Sequence, residues 1–255
     1  MWYSVASYVQ FLLKSTNKHG VHSPFVYKLI TKGFKSKIPA DVSQIFKQYR
    51  KSLLQSKTTI SVTDFGSGSR IFKSNTRKVS EIARFAGTPY FKQTFLYKLA
   101  DYLNFKNTLE LGTSLGMGTI ALAKAENNKV VSIEGCPETA KTAQKQLNEF
   151  KIKNIQIENG LFEEVIPKIS KKWDAVFIDG SHSQKNTLMY FELLLPYLHN
   201  DSVLIFDDIY WSQEMTLAWK ELVAHQEVTV SIDVFHFGLL FFRKEQLKES
   251  FTIRM

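Results

Sequence analysis

The sequence has little that would cross-link the chain or span a membrane. Its 255 residues include one cysteine, Cys136, which excludes a disulfide within the chain and a cysteine metal cluster. No apolar run reaches the roughly 20 residues that a membrane helix needs. Residues 1–13 are aromatic and apolar, but they lack the basic start and the small-residue cleavage site of a signal peptide. We therefore expect a cytoplasmic protein.

Acidic residues are scarce in the first part of the chain. Residues 1–106 hold 18 of the 33 Lys and Arg but 4 of the 24 Asp and Glu, which leaves 15 and 20 for residues 107–255. A basic surface of this kind binds nucleic acid, anionic lipid or an acidic substrate, or it is simply a solvated, lysine-rich helical surface. Lysine outnumbers arginine and no RNA-binding motif accompanies it, so both interpretations stay open.

The front of the chain has the apolar spacing of helices. The pattern predicts helices within residues 1–60, among them 24–32 and 41–54, then one after Ser80 and one over 89–103. From Asn107 the pattern changes to strands that alternate with helices. The sequence therefore predicts a mainly helical N-terminal extension over 1–88 and a catalytic domain over 89–255.

The alternation after Asn107 predicts a parallel sheet with helices on both faces. Five short apolar segments, each followed by a helical pattern, are the predicted parallel strands: 108–111, 130–133, 155–157, 175–178 and 203–206. Residues 228–235 and 239–242 form a closing hairpin that adds an antiparallel strand at one edge. The predicted fold class is α/β, a doubly wound, mostly parallel seven-stranded Rossmann-like sheet.

Ligands of such sheets bind beyond the carboxyl ends of the strands. A glycine loop, Glu110 to Gly118, follows the first parallel strand, and its backbone can approach a ligand closely. Glu134 follows the second strand, 22 residues after Gly112, which suits an acid that binds ribose hydroxyls. These two features alone also fit a dehydrogenase that binds a nicotinamide cofactor.

A longer, ordered set of motifs separates these alternatives. The set consists of 109–116 (LELGTSLG), 132–134 (SIE), 158–160 (ENG) with Ile166-Pro167, 174–180 (DAVFIDG) and 204–208 (LIFDD). With this set the chain resembles class I S-adenosylmethionine-dependent methyltransferases over about residues 88–243. The likeness is to the O-methyltransferase branch with the catechol and caffeoyl-CoA O-methyltransferases. It implies an enzyme that methylates a hydroxyl of a small molecule.

The resemblance also implies roles for individual residues. Those expected to bind S-adenosylmethionine are Glu110, Gly112, Thr113, Ser114, Gly116, Glu134, Gly160, Phe162 and Asp179. Glu134 would bind both ribose hydroxyls, and the stretch from Gly160 to Phe162 would lie against the adenine. Phe162 is equally well explained as a core aromatic residue.

In metal-dependent members of that family, acids at the ends of the fourth and fifth strands bind Mg²⁺. The matching residues are Asp179, Asp207 and Asp208, although the family usually has Asp-Asn where this chain has Asp-Asp. The alternative is that these acids cap the next helix or line a metal-free site. The candidate catalytic residues are His182 and Asp179. His182 stands at a position where relatives carry lysine, and it would act as general base. Trp211 either walls the substrate site or belongs to the core.

The extension resembles a different set of proteins. The segment 19–27 (HGVHSPFVY) is similar to that of a bacterial methyltransferase group found chiefly in Bacteroidetes. Such extensions cover the active site or build a homodimer, and both roles are expectations here. A ribose 2′-O-methyltransferase that uses the basic front half and a non-catalytic cofactor-binding scaffold remain alternatives. The segment 64–69 (DFGSGS) is interpreted as a loop that folds over the cofactor.

Overall fold

The N-terminal part of the chain is mainly helical, in a computed structural model that describes residues 2–65, 72, 74–169 and 171–255. Its elements are α1 (Trp2–Lys14), α2 (Pro24–Lys28), a π-helical segment (Leu29–Phe34), α3 (Ala40–Gln55), β1 (Thr59–Ser61), β2 (Thr76–Lys78), α4 (Val79–Phe85) and α5 (Tyr90–Tyr102). Ser23 starts α2 because its hydroxyl accepts the backbone N–H of Val26 and Pro24 takes the first helical position. The predicted helices over 24–32, 41–54 and 89–103 are present with small shifts at their ends.

Strands and helices alternate in the second part of the chain. Its elements are β3 (Asn107–Leu111), α6 (Met117–Ala123), β4 (Lys129–Glu134), α7 (Pro137–Glu149), β5 (Ile155–Asn159), α8 (Phe162–Val165), β6 (Ala175–Ile178), α9 (Gln184–Leu194), β7 (Val203–Asp207), α10 (Gln213–Ala224), β8 (Val230–Asp233), β9 (Phe237–Phe241) and β10 (Glu249–Thr252). Short 3₁₀ turns lie at Lys18–Gly20, Ile166–Lys168 and Leu195–Tyr197. The α/β fold class is confirmed.

One large sheet carries the second part, with strand order β10-β8-β9-β7-β6-β3-β4-β5. The strands β5, β4, β3, β6 and β7 are parallel neighbours, as the alternation predicted. Chain order reverses at β3, because β4 and β6 lie on its two sides. Such a switch point leaves a crevice at the carboxyl ends of the strands, where a ligand can bind.

Two details of the predicted architecture were wrong, the number of strands and the position of the antiparallel strand. The sheet has eight strands, because β10 pairs in parallel with β8. The antiparallel strand β9 lies between β7 and β8 and is not at an edge. The extension also contains the small antiparallel pair β1 and β2. These strands are only three to five residues long, and too short a segment shows no recognisable alternation.

The extension packs into the core of the sheet domain. Tyr49 and Phe46 of α3 are fully buried in one cluster with Leu115 and Leu147. The Tyr49 hydroxyl donates to the carbonyl oxygen of Leu115 at 2.9 Å, directly beneath the glycine loop. At the other end of the extension, Thr16 bridges to Ile253 beside β10. The extension therefore supports the loop that follows β3, and the boundary at residue 88 remains a prediction.

Candidate active site

A cavity of about 260 Å³ opens at the carboxyl ends of β3, β4, β5 and β6. Six of the predicted cofactor residues line it: Gly112, Ser114, Glu134, Gly160, Phe162 and Asp179. They come from four different strand ends, so the switch-point geometry brings them together. The cavity therefore lies where the sequence motifs placed the cofactor.

Gly112 is the tightest point of the loop after β3. Its φ of +105° lies in a region that favours glycine. A β-carbon at this position would collide with the carbonyl oxygen of Asp179. The loop can thus pass close to the end of β6 only because residue 112 has no side chain.

Glu134 is held in place by backbone donors at the end of β4. Its Oε2 accepts the N–H of Ser114 at 2.8 Å, and its Oε1 accepts the N–H of Cys136 at 3.0 Å. Burial raises the pKa of Glu134, and these N–H groups oppose that rise. Each carboxylate oxygen keeps acceptor capacity after one such bond, so the group can receive two hydroxyls.

Glu110, Thr113 and Gly116 are not among the residues that line the cavity, and their contact with the cofactor stays a prediction. Glu110 is 1% exposed, and its Oε2 accepts the hydroxyls of Thr119 at 2.5 Å and Ser132 at 2.6 Å. Thr113 in turn bonds to the Ser132 hydroxyl at 2.6 Å. Glu110 pairs in register with Ser132 of β4, so its side chain is directed into the layer beneath the loop. These residues support the loop from below.

Glu110 leads to a prediction about stability. Burial raises the pKa of Glu110 from 4.5 to about 8, against the opposing hydrogen bonds from Ser132 and Thr119. The unfolded chain therefore ionises before the folded one, and the free energy of unfolding falls as pH rises from about 4.5 to 8. Glu110→Gln removes this dependence. Between pH 5 and 8 the free energy of unfolding of the variant should therefore rise relative to that of the wild type by a few kcal/mol. Urea denaturation at four pH values measures the difference, and a constant difference would contradict the assignment.

Aromatic and amide groups complete the cavity on the side of α8 and α9. Phe162 lies against Gly180, whose β-carbon would come within 2.8 Å of the Phe162 ring. The Phe162 and Tyr190 rings meet edge to face at 5.3 Å, which fixes the Phe162 ring. Phe162 therefore combines the two interpretations left open by the sequence, since it packs on the core and also lines the cavity.

The loop after β1 reaches over the cavity. Asp64 and Phe65 line it, and the Phe65 ring covers Gly135 so closely that a β-carbon there would lie 2.8 Å from the ring. The role of the segment as a cover over the cofactor stays a prediction. Gly66 to Ser69, the rest of that motif, lie outside the described residues.

A lysine occupies the centre of the predicted metal site. Lys92 Nζ lies 2.6 and 2.8 Å from the two carboxylate oxygens of Asp207 and 2.7 Å from Oδ1 of Asp208. Burial lowers the pKa of Lys92, but the charges of Asp207, Asp208 and Asp179 outweigh it and raise the pKa, so the group is an ammonium. Within the described residues no group of three or more His, Cys, Asp or Glu has the arrangement of a metal site. The acids present do not fit Mg²⁺ while Lys92 is there.

Asp179 and Asp207 influence each other at the edge of this cluster. Burial raises the pKa of both carboxyl groups; Lys92 opposes the rise, while Asp208 adds to it. The Asp207 carboxyl group is thus harder to ionise because Asp179 lies beside it. The cluster combines the Lys92 ammonium with three carboxyl groups.

Sequence reasoning missed Lys92, although the chain carries a signal for it. Phe95, Leu96 and Leu99 follow Lys92 at three, four and seven residues, which places all four on one helix face. A lysine on an apolar helix face is expensive to bury unless an acid pairs with it. That mismatch predicts a buried partner, but it does not say which acid.

His182 and Trp211 lie beside the acidic cluster. His182 Nε2 is 3.9 Å from Oδ1 of Asp179, which is too long for a hydrogen bond, and the His182 side chain is 21% exposed. The rings of His182 and Trp211 are 5.8 Å apart. The structure therefore brings the two candidate catalytic residues, His182 and Asp179, close to Trp211, and Asp179 also lines the cavity.

Cys136 serves as a structural residue. It is buried at the start of α7, where its Sγ contacts the backbone of Ser61 and Thr63 near β1.

No helix in the described part of the chain is long and apolar enough to cross a membrane.

Comparison with known proteins agrees with this geometry. Residues 109–209 match a family model described as a methyltransferase domain. A catechol O-methyltransferase of Niastella koreensis is 29% identical over 122 residues, covering 45% of this chain and 54% of that enzyme. The chain thus spans about half the length of this curated relative.

Solved structures show the same fold. An SAH-bound methyltransferase from Podospora anserina aligns with a TM-score of 0.60 at 11% identity, over 86% of this chain and 94% of its own. An O-methyltransferase of tomaymycin synthesis from Streptomyces achromogenes, in complex with SAM, aligns with a TM-score of 0.55 at 17% identity. The alignment covers 86% of this chain and 95% of that one.

Proposed function

We propose that this chain, which contains a methyltransferase domain over residues 109–209, transfers the methyl group of S-adenosylmethionine to a hydroxyl oxygen of a small molecule. The observation that carries the proposal is the place of Glu134. It stands at the end of β4 in the same cavity as the loop at Gly112 and the ring of Phe162. A ribose needs an acid that accepts its hydroxyls, and an adenine needs a flat ring on which it can stack. The amino-acid part of the cofactor needs a backbone that it can approach closely.

The residues of the cavity fit this cofactor. Glu134, oriented by the N–H groups of Ser114 and Cys136, would accept the ribose hydroxyls. Phe162, fixed against Tyr190, would stack on the adenine, and Phe65 would cover the cavity from the extension. The backbone from Gly112 to Ser114 would face the methionine end of the cofactor. A β-carbon at Gly112 would collide with the carbonyl oxygen of Asp179 and so disturb this backbone.

The acceptor would bind on the side of His182, Trp211 and the acidic cluster. Further aromatic rings lie beside His236. The ring of Phe91 is 4.7 Å from the His236 ring, and the ring of Phe235 is 5.1 Å from the His236 ring. His236 lies next to the cluster, because its carbonyl oxygen accepts the backbone N–H of Asp208 at 3.2 Å. Burial and the charge of Lys92 lower the pKa of His236. Such walls suit a hydroxylated molecule with an apolar body.

S-adenosylmethionine, when bound, supplies a methyl carbon that leaves the sulfur as it bonds to the acceptor oxygen, while the broken bond's electron pair stays on sulfur. His182 would take the proton of the acceptor hydroxyl as general base, since a neutral imidazole has a ring nitrogen that accepts a proton. Asp179 would stabilise the imidazolium that results, because its carboxyl group lies 3.9 Å from His182 Nε2.

The cofactor assignment predicts the behaviour of Glu134→Gln. The charged acceptor of two hydroxyl hydrogen bonds is lost, so S-adenosylmethionine binding should weaken about ten- to a hundredfold. Isothermal titration calorimetry measures this, with NADH as the test of the dehydrogenase alternative. Glu126→Gln, in the exposed turn before β4, is the matched control at the opposite end of the strand.

Two results would count against the proposal. If wild-type protein binds NADH and not S-adenosylmethionine, the dehydrogenase interpretation replaces it. If Glu134→Gln binds S-adenosylmethionine as tightly as Glu126→Gln does, the ribose role of Glu134 is wrong.

A further inference from the structure

The cluster at the ends of β6 and β7 contains its own cation. An ammonium has three N–H donors, and those of Lys92 meet three carboxylate oxygens at 2.6, 2.8 and 2.7 Å. Mg²⁺ would need the same oxygens at about 2.1 Å. Both cations cannot use these oxygens together, because like charges at that separation repel strongly.

Lys92 is also fixed in position and cannot easily withdraw. Its residue is 7% exposed, and its Nζ lies over the ring of Phe237 at 5.5 Å. The next residue, Gln93, donates its side-chain amide to the carbonyl oxygen of Met117 at 2.8 Å, which ties this turn of α5 to α6. If the lysine left, the Asp207 side chain, 5% exposed, would lose its counter-charge.

We propose that Lys92 replaces the divalent ion of the metal-dependent relatives, so that this chain binds its substrates and transfers methyl groups without a metal. Lys92 is a positioning residue in this assignment. It neutralises Asp207, which is buried, and orients Asp208, whose side chain is 31% exposed and therefore open to a ligand. The catalytic part of the inference rests on the proposed function, whereas the exclusion of metal does not.

The test measures metal binding directly, with Mn²⁺ as the probe and electron paramagnetic resonance as the readout. We expect no stoichiometric Mn²⁺ site in wild-type protein at submillimolar ion, and S-adenosylmethionine affinity should be unchanged by EDTA. Lys92→Ala removes the resident cation and leaves the acids, so it should gain one Mn²⁺ site per chain. Lys98→Met, on the same helix but bonded to the carbonyl oxygen of Phe34, should gain none.

The outcomes separate this inference from the proposed function. One Mn²⁺ bound per wild-type chain, and lost in Asp207→Asn, would overturn it even if S-adenosylmethionine binds as proposed. A metal-free wild type supports it even if S-adenosylmethionine does not bind. If Lys92→Ala does not fold, the wild-type titration decides alone, and Lys92→Ala combined with Asp207→Asn should restore the fold by removing both charges.

Discussion

Replacing Gly112 by alanine should abolish measurable S-adenosylmethionine binding and lower the melting temperature. The new β-carbon would collide with the carbonyl oxygen of Asp179, and alanine is strained at a φ of +105°. Strain of this kind costs on the order of 1–3 kcal/mol, and overpacking against a backbone adds a similar amount. Because β3 and β6 are direct neighbours, relief of the collision would push their ends apart. The cavity would then change shape at the point where Gly112 and Asp179 both line it.

Calorimetry and thermal unfolding together check this expectation. We expect a melting temperature lower by roughly 5–15 °C, given 2–4 °C for each kcal/mol in a domain of this size. Gly20→Ala is the control, because Gly20 is exposed and its β-carbon would meet only the side chain of Thr16. A folded Gly112→Ala variant that binds S-adenosylmethionine with wild-type affinity would show that the loop does not approach the cofactor.

Replacing His182 by glutamine should lower kcat by about a hundredfold or more while S-adenosylmethionine affinity stays within about twofold. General base catalysis contributes on the order of 10²–10⁴ in rate, and glutamine retains hydrogen bonding but cannot take a proton. His182 is also absent from the lining of the cofactor cavity, so cofactor binding should not depend on it. The release of S-adenosylhomocysteine with catechol as the trial acceptor, or with whichever phenol is turned over, gives the rate.

His225→Gln provides a close match for this experiment. His225 faces Glu192 at 3.6 Å with a side chain 26% exposed, much as His182 faces Asp179, but it lies away from the cavity. An equal loss of rate in both variants would indicate a general effect of histidine removal on stability. Wild-type turnover in His182→Gln would transfer the role of base to the acidic cluster or to solvent.

Much of this protein could be predicted from local patterns in its sequence. The parallel strands β3 to β7 were predictable because buried strands are short apolar segments between helical patterns. The loop at Gly112 and the acid at Glu134 were predictable because each comes directly after a strand, and parallel strands end at a common edge. Six residues expected at the cofactor do line one cavity for that reason.

Other features depend on contacts between distant parts of the chain, and only the folded structure reveals them. Lys92 and Asp207 are 115 positions apart, and the sequence indicates only that each would need a partner. The direction of the Glu110 side chain depends on its register with Ser132 across two strands. The segment that forms β10 is short and polar, and its sequence shows no periodicity that predicts a strand. Only its pairing with β8 in the folded structure identifies it as one. Local sequence patterns thus set where each strand ends and which residues come directly after it. The packing of distant segments decided which of those residues line the cavity. It also decided that the ammonium of Lys92 lies between Asp207 and Asp208, because these residues come from segments far apart in the sequence.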